Sequence, residues 1–241
     1  MRELTSAGRL SAWGGAAIAG AVSPDDAADE VRGGRDVGHR VLGLPDEVGA
    51  VNLAYALARL RSLGVTGLRL VLPVAGDAGG LPGPAAFNER AVARGSVVLT
   101  AGGRPLALLP ESRGLWSAHA VDDDRRTPMS LDDAERALRQ VMRDGADELA
   151  RLDVARWEPA AADLLSARSG AARPDLPPTT DPRAHAVLAQ ALRLWSIVEA
   201  ARAGDGAAVT AGESRDRAAV LRELDGAARR AVEAACSTAY R

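Results

Sequence analysis

Alanine supplies 51 of the 241 residues, almost as many as Leu, Val, Ile and Phe combined, which supply 52. Large apolar side chains at that level stand close to the composition at which chains stay disordered. The formal net charge of −2 removes the self-repulsion that disorder also requires. A folded chain is therefore expected, with a thin core in which Ala-faced helices approach closely and a few large residues carry most of the buried area. Leu53, Leu57, Trp195 and Leu221 are the expected anchors.

All 30 basic residues are Arg; the chain has no Lys. A phosphate loop of the GxxxxGK[ST] type is thereby excluded, as are Schiff-base chemistry and a kinase-type strand lysine. High Ala, Gly and Arg with no Lys is the coding bias of a GC-rich bacterium. One cysteine, Cys236, allows neither an internal disulfide nor a Cys-based metal cluster. It reads as a small buried residue on a helix. Neither half of the chain is markedly basic and only seven aromatics occur, so no nucleic-acid partner is expected. No run of 18 apolar residues occurs, so no membrane partner is expected either. Arg2, Arg9 and the weakly apolar Trp13–Val22 stretch have the layout of a leader. Glu3 and the helical recurrence of Leu10, Trp13, Ala17 and Ala21 favour an opening helix instead.

The pattern predicts an α/β fold, with α+β as the variant. A small mixed β-sheet with flanking helices should occupy the N-terminal half, residues 1–125. A mainly helical region, 126–241, should follow and pack on it, with a Pro-rich loop over 168–182, the alternative being a single domain. The first helix is expected over Ser6–Val22. Ser23-Pro24-Asp25-Asp26 signals the start of a second, which Gly33-Gly34 ends. His39–Leu44 reads as a strand, Asp46–Leu63 as a long helix stopped by Gly64, and Gly67–Pro73 as a second strand. The three suggest a βαβ unit with a parallel pair. A helix over Ala85–Arg94 leads to strands at Ser96–Thr100 and Arg104–Leu109, turned by Gly102-Gly103, and Leu115–Val121 extends the meander. Ser130 and Asp133 box the start of a helix from Leu131 to Leu152. A short helix is expected over Ala160–Ala167. Ala184–Ala203 and Ser214–Ala235 are the closing helices, with Thr210 and Glu213 boxing the latter.

Two stretches hold candidate chemistry. The first is the loop spanning 76–84, which follows a strand and precedes a helix. Its glycines would let backbone N–H groups approach a small anion, and the next helix start favours negative charge. Asp77, Gly79, Gly80, Gly83, Phe87 and Asn88 are its expected ligand contacts. Arg104, with Arg69 and Arg90, would supply guanidinium clamps. The spacing is not GxGxxG, and the same loop also reads as a rigid surface turn. The second stretch is His119 with Asp122 and Asp124, a mixed nitrogen and oxygen set for a divalent metal. Asp123, Arg125 and Arg126 equally make it a solvated charged turn. His39 and His185 stand in no ligand spacing and read as structural. Ser117 lies two residues from His119, but no GxSxG elbow exists, so no hydrolase triad is expected.

These readings leave a cytoplasmic protein that acts through protein–protein contact or self-association without catalysis and without a cofactor. The alternative is an enzyme or sensor that holds a small anionic ligand at the glycine-rich loop. More Ala/Leu surface on the closing helices than one pair buries favours contact with a protein partner or a second copy.

Overall fold

The computed structural model describes residues 4–34, 36–112, 114–122, 128–151, 176–203 and 211–238. The chain divides into two compact units. One comprises Leu4–Pro128, Asp175–Asp181 and Cys236–Arg241. The other contains Met129–Pro174 and Pro182–Ala235. The first is α/β with a mixed six-stranded sheet, and the described part of the second is helical.

Local signals build the α/β unit. Helix α1 (Ser6–Arg9) runs through a π-helical turn (Leu10–Gly14) into α2 (Gly15–Ile18). Thr5 starts it by accepting from Gly8 N at 3.2 Å. Helix α3 (Pro24–Arg32) has Ser23 accepting from Asp26 N at 3.0 Å, acids in its first turn and left-handed Gly33 at its end. Strand β1 (Arg40–Leu42) is followed by β2 (Ala50–Asn52) and α4 (Leu53–Ser62). Strand β3 (Gly67–Val71), α5 (Ala85–Arg94), β4 (Val97–Ala101), β5 (Leu106–Ser112) and β6 (Leu115–Ala120) complete it.

Two expectations are corrected. The helix begins at Leu53, not Asp46, because Asn52 takes the cap position and accepts from Tyr55 N at 2.8 Å. Upstream, Asp46 and Gly49 have positive φ, which turns Ala50–Asn52 back to pair antiparallel with β1. The expected parallel βαβ pair is also absent. The strand order is β2-β1-β6-β5-β4-β3, so β3 lies at the far edge, antiparallel to β4. The parallel partner of β1 is β6, joined Val41 to Trp116. The β4–β5–β6 meander forms as the sequence predicts, with Gly102 and Gly103 both at positive φ in its first turn.

Strand alternation sends two sets of side chains to opposite faces. On one face Leu68 meets Gly14 and Leu57, so the N-terminal helix and α4 cover it. On the other, Val71, Val97, Leu99, Ala107 and Leu109 form a cluster with Leu81, Phe87 and Ala91. Helix α5 thus covers β3, β4 and β5. The same face continues onto β6 and β1, where Ser117 and His119 are half-buried and Leu42 is 43% exposed.

The β3 edge is closed by side chains. Ser11 Oγ donates to Leu68 O at 3.3 Å, and Leu70 N donates to Ser237 Oγ at 3.0 Å, both buried. These two backbone groups point away from β4 and would otherwise be an open ladder.

The helical unit has α6 (Leu131–Arg151), α7 (Pro182–Ala203) and α8 (Ala211–Cys236), the last running into the other unit at Cys236. Ser130 caps α6 by accepting from Asp133 N at 3.1 Å. Arg183 of α7 pairs with Asp132 and Glu135 of α6, at 2.7 and 2.8 Å. Trp195 Nε1 donates to Asp225 Oδ1 across α7 and α8 at 2.8 Å. Leu224 of α8 packs on Gly145 of α6. Trp195 and Leu221 are buried as expected, as are Leu53 and Leu57. The short helix expected over Ala160–Ala167, the loop over 168–175 and the Thr210 cap lie outside the described residues. No helix among the described residues is long and apolar enough to cross a membrane.

Candidate functional site

The glycine-rich loop directs its hydrogen bonds inward. Val74 and Asp77 exchange both backbone bonds at 2.9 Å. Gly79 N donates to Asp77 Oδ1 and Gly83 N to Asn88 Oδ1, both at 3.1 Å. Leu81 N donates to Ala78 O at 3.1 Å. The Gly79, Leu81 and Gly83 donors that an anion would need are therefore already in use, one of them by a carboxylate. Gly79, Gly80 and Gly83 have positive φ. Phe87 is buried in the cluster under α5, with its ring 5.6 Å from that of His119. Arg104 is exposed on the β4–β5 turn, and Arg69 is buried on β3.

The metal candidates part company in space. A Cβ on Gly83 would lie 2.5 Å from Asp122 Oδ2, so Asp122 reaches the glycine loop. His119 turns instead along the sheet face to Ser117. Asp124 lies outside the described residues. Among the described residues no three His, Cys, Asp or Glu side chains are gathered to hold a metal ion.

Sequence reasoning passed over the group that His119 does join. Ser117 and His119 are two apart on β6 and share a face, with Oγ and Nε2 at 2.7 Å. Ser117 Oγ donates to Glu111 Oε1 of β5 at 2.6 Å. The shift in register between Pro110 and Ser112 occurs beside this carboxylate. From α5, Arg90 Nη2 approaches Glu111 Oε1 at 2.8 Å, and Arg94 pairs with Oε2 and donates to Glu111 O. The turn-to-turn spacing of Arg90 and Arg94 on α5 puts both guanidiniums on one carboxylate.

Charge states follow. The hydrogen bond from Ser117 holds the Glu111 carboxyl below its ordinary value against the opposing effect of burial, with the Arg94 and Arg90 charges adding to the depression. Burial, then the Arg90 charge, holds the His119 imidazolium below the ordinary histidine value, with Glu111 opposing. An ionised Glu111 takes the single Ser117 proton. The proton between Ser117 and His119 must then sit on His119 Nε2. In this order, carboxylate then serine then imidazole, His119 donates to Ser117 and Glu111 is the group that accepts the hydroxyl proton.

On the opposite face, Trp116 Nε1 donates to His39 Nδ1 at 2.8 Å, both residues buried. His39 lines an open cleft of about 480 Å³ with Val37, Glu111, Gly114, Leu115 and Trp116. Cys236 is buried and packs near Gly8.

Comparison with known proteins gives two family matches. The Rv1486c-like protein, N-terminal domain, matches residues 7–131. The Rv1486c-like protein, C-terminal domain, matches residues 132–233. Uncharacterized protein Rv1486c of Mycobacterium tuberculosis (strain ATCC 25618 / H37Rv) is similar at 29% identity over 252 residues, covering 86% of this chain and 83% of the relative. Uncharacterized protein MT1533 of Mycobacterium tuberculosis (strain CDC 1551 / Oshkosh) is similar at 29% identity with the same coverage. No solved structure matches the chain.

Proposed function

This chain belongs to the Rv1486c-like protein family, and for this member we propose a non-catalytic role exercised through protein contact, with a second copy of the chain as the partner. The observation that carries the reading is the apolar exposure around the β1–β2 hairpin. Val48 in the hairpin turn is fully exposed, and Leu42 on β1 is 43% exposed. Large apolar side chains left exposed in one hairpin favour a contact site.

Charge supports a second copy as occupant. Arg40 on β1 and Asp46 in the hairpin are both exposed and lie on either side of Leu42 in sequence, with Asp46 also paired to Arg59 at 3.1 Å. A two-fold contact centred on the hairpin would set one copy's Arg40 against the other's Asp46, as an isologous interface requires. Backbone pairing is not the mode. The β2 strand is three residues long, and Arg40 of β1 already donates to Ala50 O on it. The contact is therefore side chain on side chain. A cytoplasmic setting accords with a sequence that holds one cysteine and so no internal disulfide.

Sedimentation of the full chain over a concentration series tests this. The expected result is a monomer–dimer equilibrium that Leu42→Arg with Val48→Asp shifts to monomer while far-ultraviolet circular dichroism is unchanged. A monomer at every concentration overturns the reading. So does a dimer that the paired substitution leaves intact.

A further inference from the structure

We infer that His119 is the hydrogen-bond acceptor of a binding site for a small monoanion carrying a hydroxyl group, built on the sheet face beside α5 from Glu111, Ser117, His119 and Arg90.

Glu111 accepts from Ser117, and Ser117 accepts from His119 Nε2. A neutral imidazole with its proton on Nε2 has a lone pair on Nδ1. Among the described residues no side chain or backbone group bonds Nδ1, and it is not among the buried atoms lacking a partner, so it reaches solvent. The row Glu111–Ser117–His119 thus fixes one tautomer and orients one acceptor outward. A surface histidine with no such row presents either nitrogen.

Charge and shape then select the ligand. Glu111 is shared between Arg90 and Arg94, so the group carries one uncompensated positive charge while His119 is neutral. Arg90 lies close enough to disfavour the His119 cation, hence close enough to attract an anion there. Phe87 backs the imidazole at 5.6 Å between ring centres, and Leu42, in register with Ser117, lies on the same sheet face. The ligand's hydroxyl donates to Nδ1 and its carboxylate faces Arg90. An anion without a donor leaves Nδ1 unanswered. A metal cation is disfavoured by the same positive charge.

The test is nitrogen-15 spectroscopy of histidine-labelled full chain, with glycolate as the hydroxyl-bearing anion and acetate as the anion without a donor. His119→Gln assigns the signal. The expected result has four parts. At neutral pH His119 Nδ1 resonates as an unprotonated nitrogen. Glycolate moves it saturably and acetate does not. Ser117→Ala abolishes both the tautomer preference and the glycolate response. Ser117→Thr, which keeps the hydroxyl on a strand, retains both. A protonated Nδ1, equal responses to glycolate and acetate, or a Ser117→Ala chain that responds like the parent overturns the inference. A monomeric chain can give the expected result, so the outcome is independent of self-association.

Discussion

Trp116 Nε1 and His39 Nδ1 meet at 2.8 Å across the parallel join of β6 and β1, where Trp116 is the largest fully buried side chain. An indole N–H only donates, so Nδ1 carries the lone pair and the ring proton sits on Nε2. This bond ties the one parallel pair of the sheet to the core under the N-terminal helices. Trp116→Phe keeps an aromatic ring and removes the donor. It is expected to cost about 1–3 kcal/mol, the penalty for depriving a buried acceptor of its partner. A urea midpoint that falls at unchanged slope is the confirming measurement.

Ser11 and Ser237 close the β3 edge from opposite ends of the sequence. Ser237→Ala removes the acceptor for Leu70 N, and Ser11→Ala removes the donor to Leu68 O. Each is expected to destabilise the chain by about 1–3 kcal/mol. The larger consequence is an opened edge, which templates strand addition. Ser237→Ala is therefore expected to aggregate faster than the parent on heating, as followed by light scattering. Unchanged scattering together with an unchanged melt would show that the edge is guarded by something else.

What the sequence disclosed was local. Ser23-Pro24 and Gly33 bound α3, and Gly102-Gly103 turns β4 into β5, because capping and positive φ are decided within a few residues. Leu53, Leu57 and Leu60 are the buried stripe of α4, which starts at Leu53 and not at the expected Asp46. The signal that stops it, Asn52 as cap after Gly49, competes with the stripe and wins because a buried face needs no more than the ten residues of α4. The Val41–Trp116 pairing spans most of the unit, and no periodicity carries a contact of that separation. The site followed the same division. Alternation places Ser117 and His119 on one face, but Glu111 arrives only through the β5–β6 register and its shift after Pro110. That carboxylate, not the glycine loop, is where Arg90 goes.

The acid limb of stability should report Glu111 and His119 separately. Glu111 titrates below its ordinary value of 4.5 when folded, so its contribution is complete above that value and is lost as pH falls through the folded one. His119 titrates below its ordinary 6.5, so its contribution is complete above 6.5 and declines as pH falls through its own folded value. The melting temperature is thus expected to fall in two stages on acidification. Glu111→Gln should flatten the lower stage. Ser117→Ala removes the main cause of the Glu111 depression and should move that stage to higher pH. A parent whose melting temperature is constant from pH 7 to about 4.5, the ordinary carboxylate value, would contradict the His119 assignment.

Gly14 sits in the π-helical turn where three leucines converge. A Cβ there would lie 2.9 Å from Leu68 Cδ1, 3.0 Å from Leu57 Cδ2 and 3.1 Å from Leu10 Cδ1. All three leucines are buried, so none can swing into solvent to make room. Gly14→Ala is therefore expected to overpack the core and cost about 1–3 kcal/mol. Leu57→Ala, which empties the same spot, should cost about 2–5 kcal/mol. The double substitution places a methyl group where Leu57 Cδ2 has been removed, so its cost should be less than the sum of the two singles by about 0.5–3 kcal/mol. Urea denaturation of the four chains closes the cycle. Strict additivity would mean that Leu57 relaxes away from Gly14 unaided, and that the close approach of helix to sheet does not depend on the missing side chain.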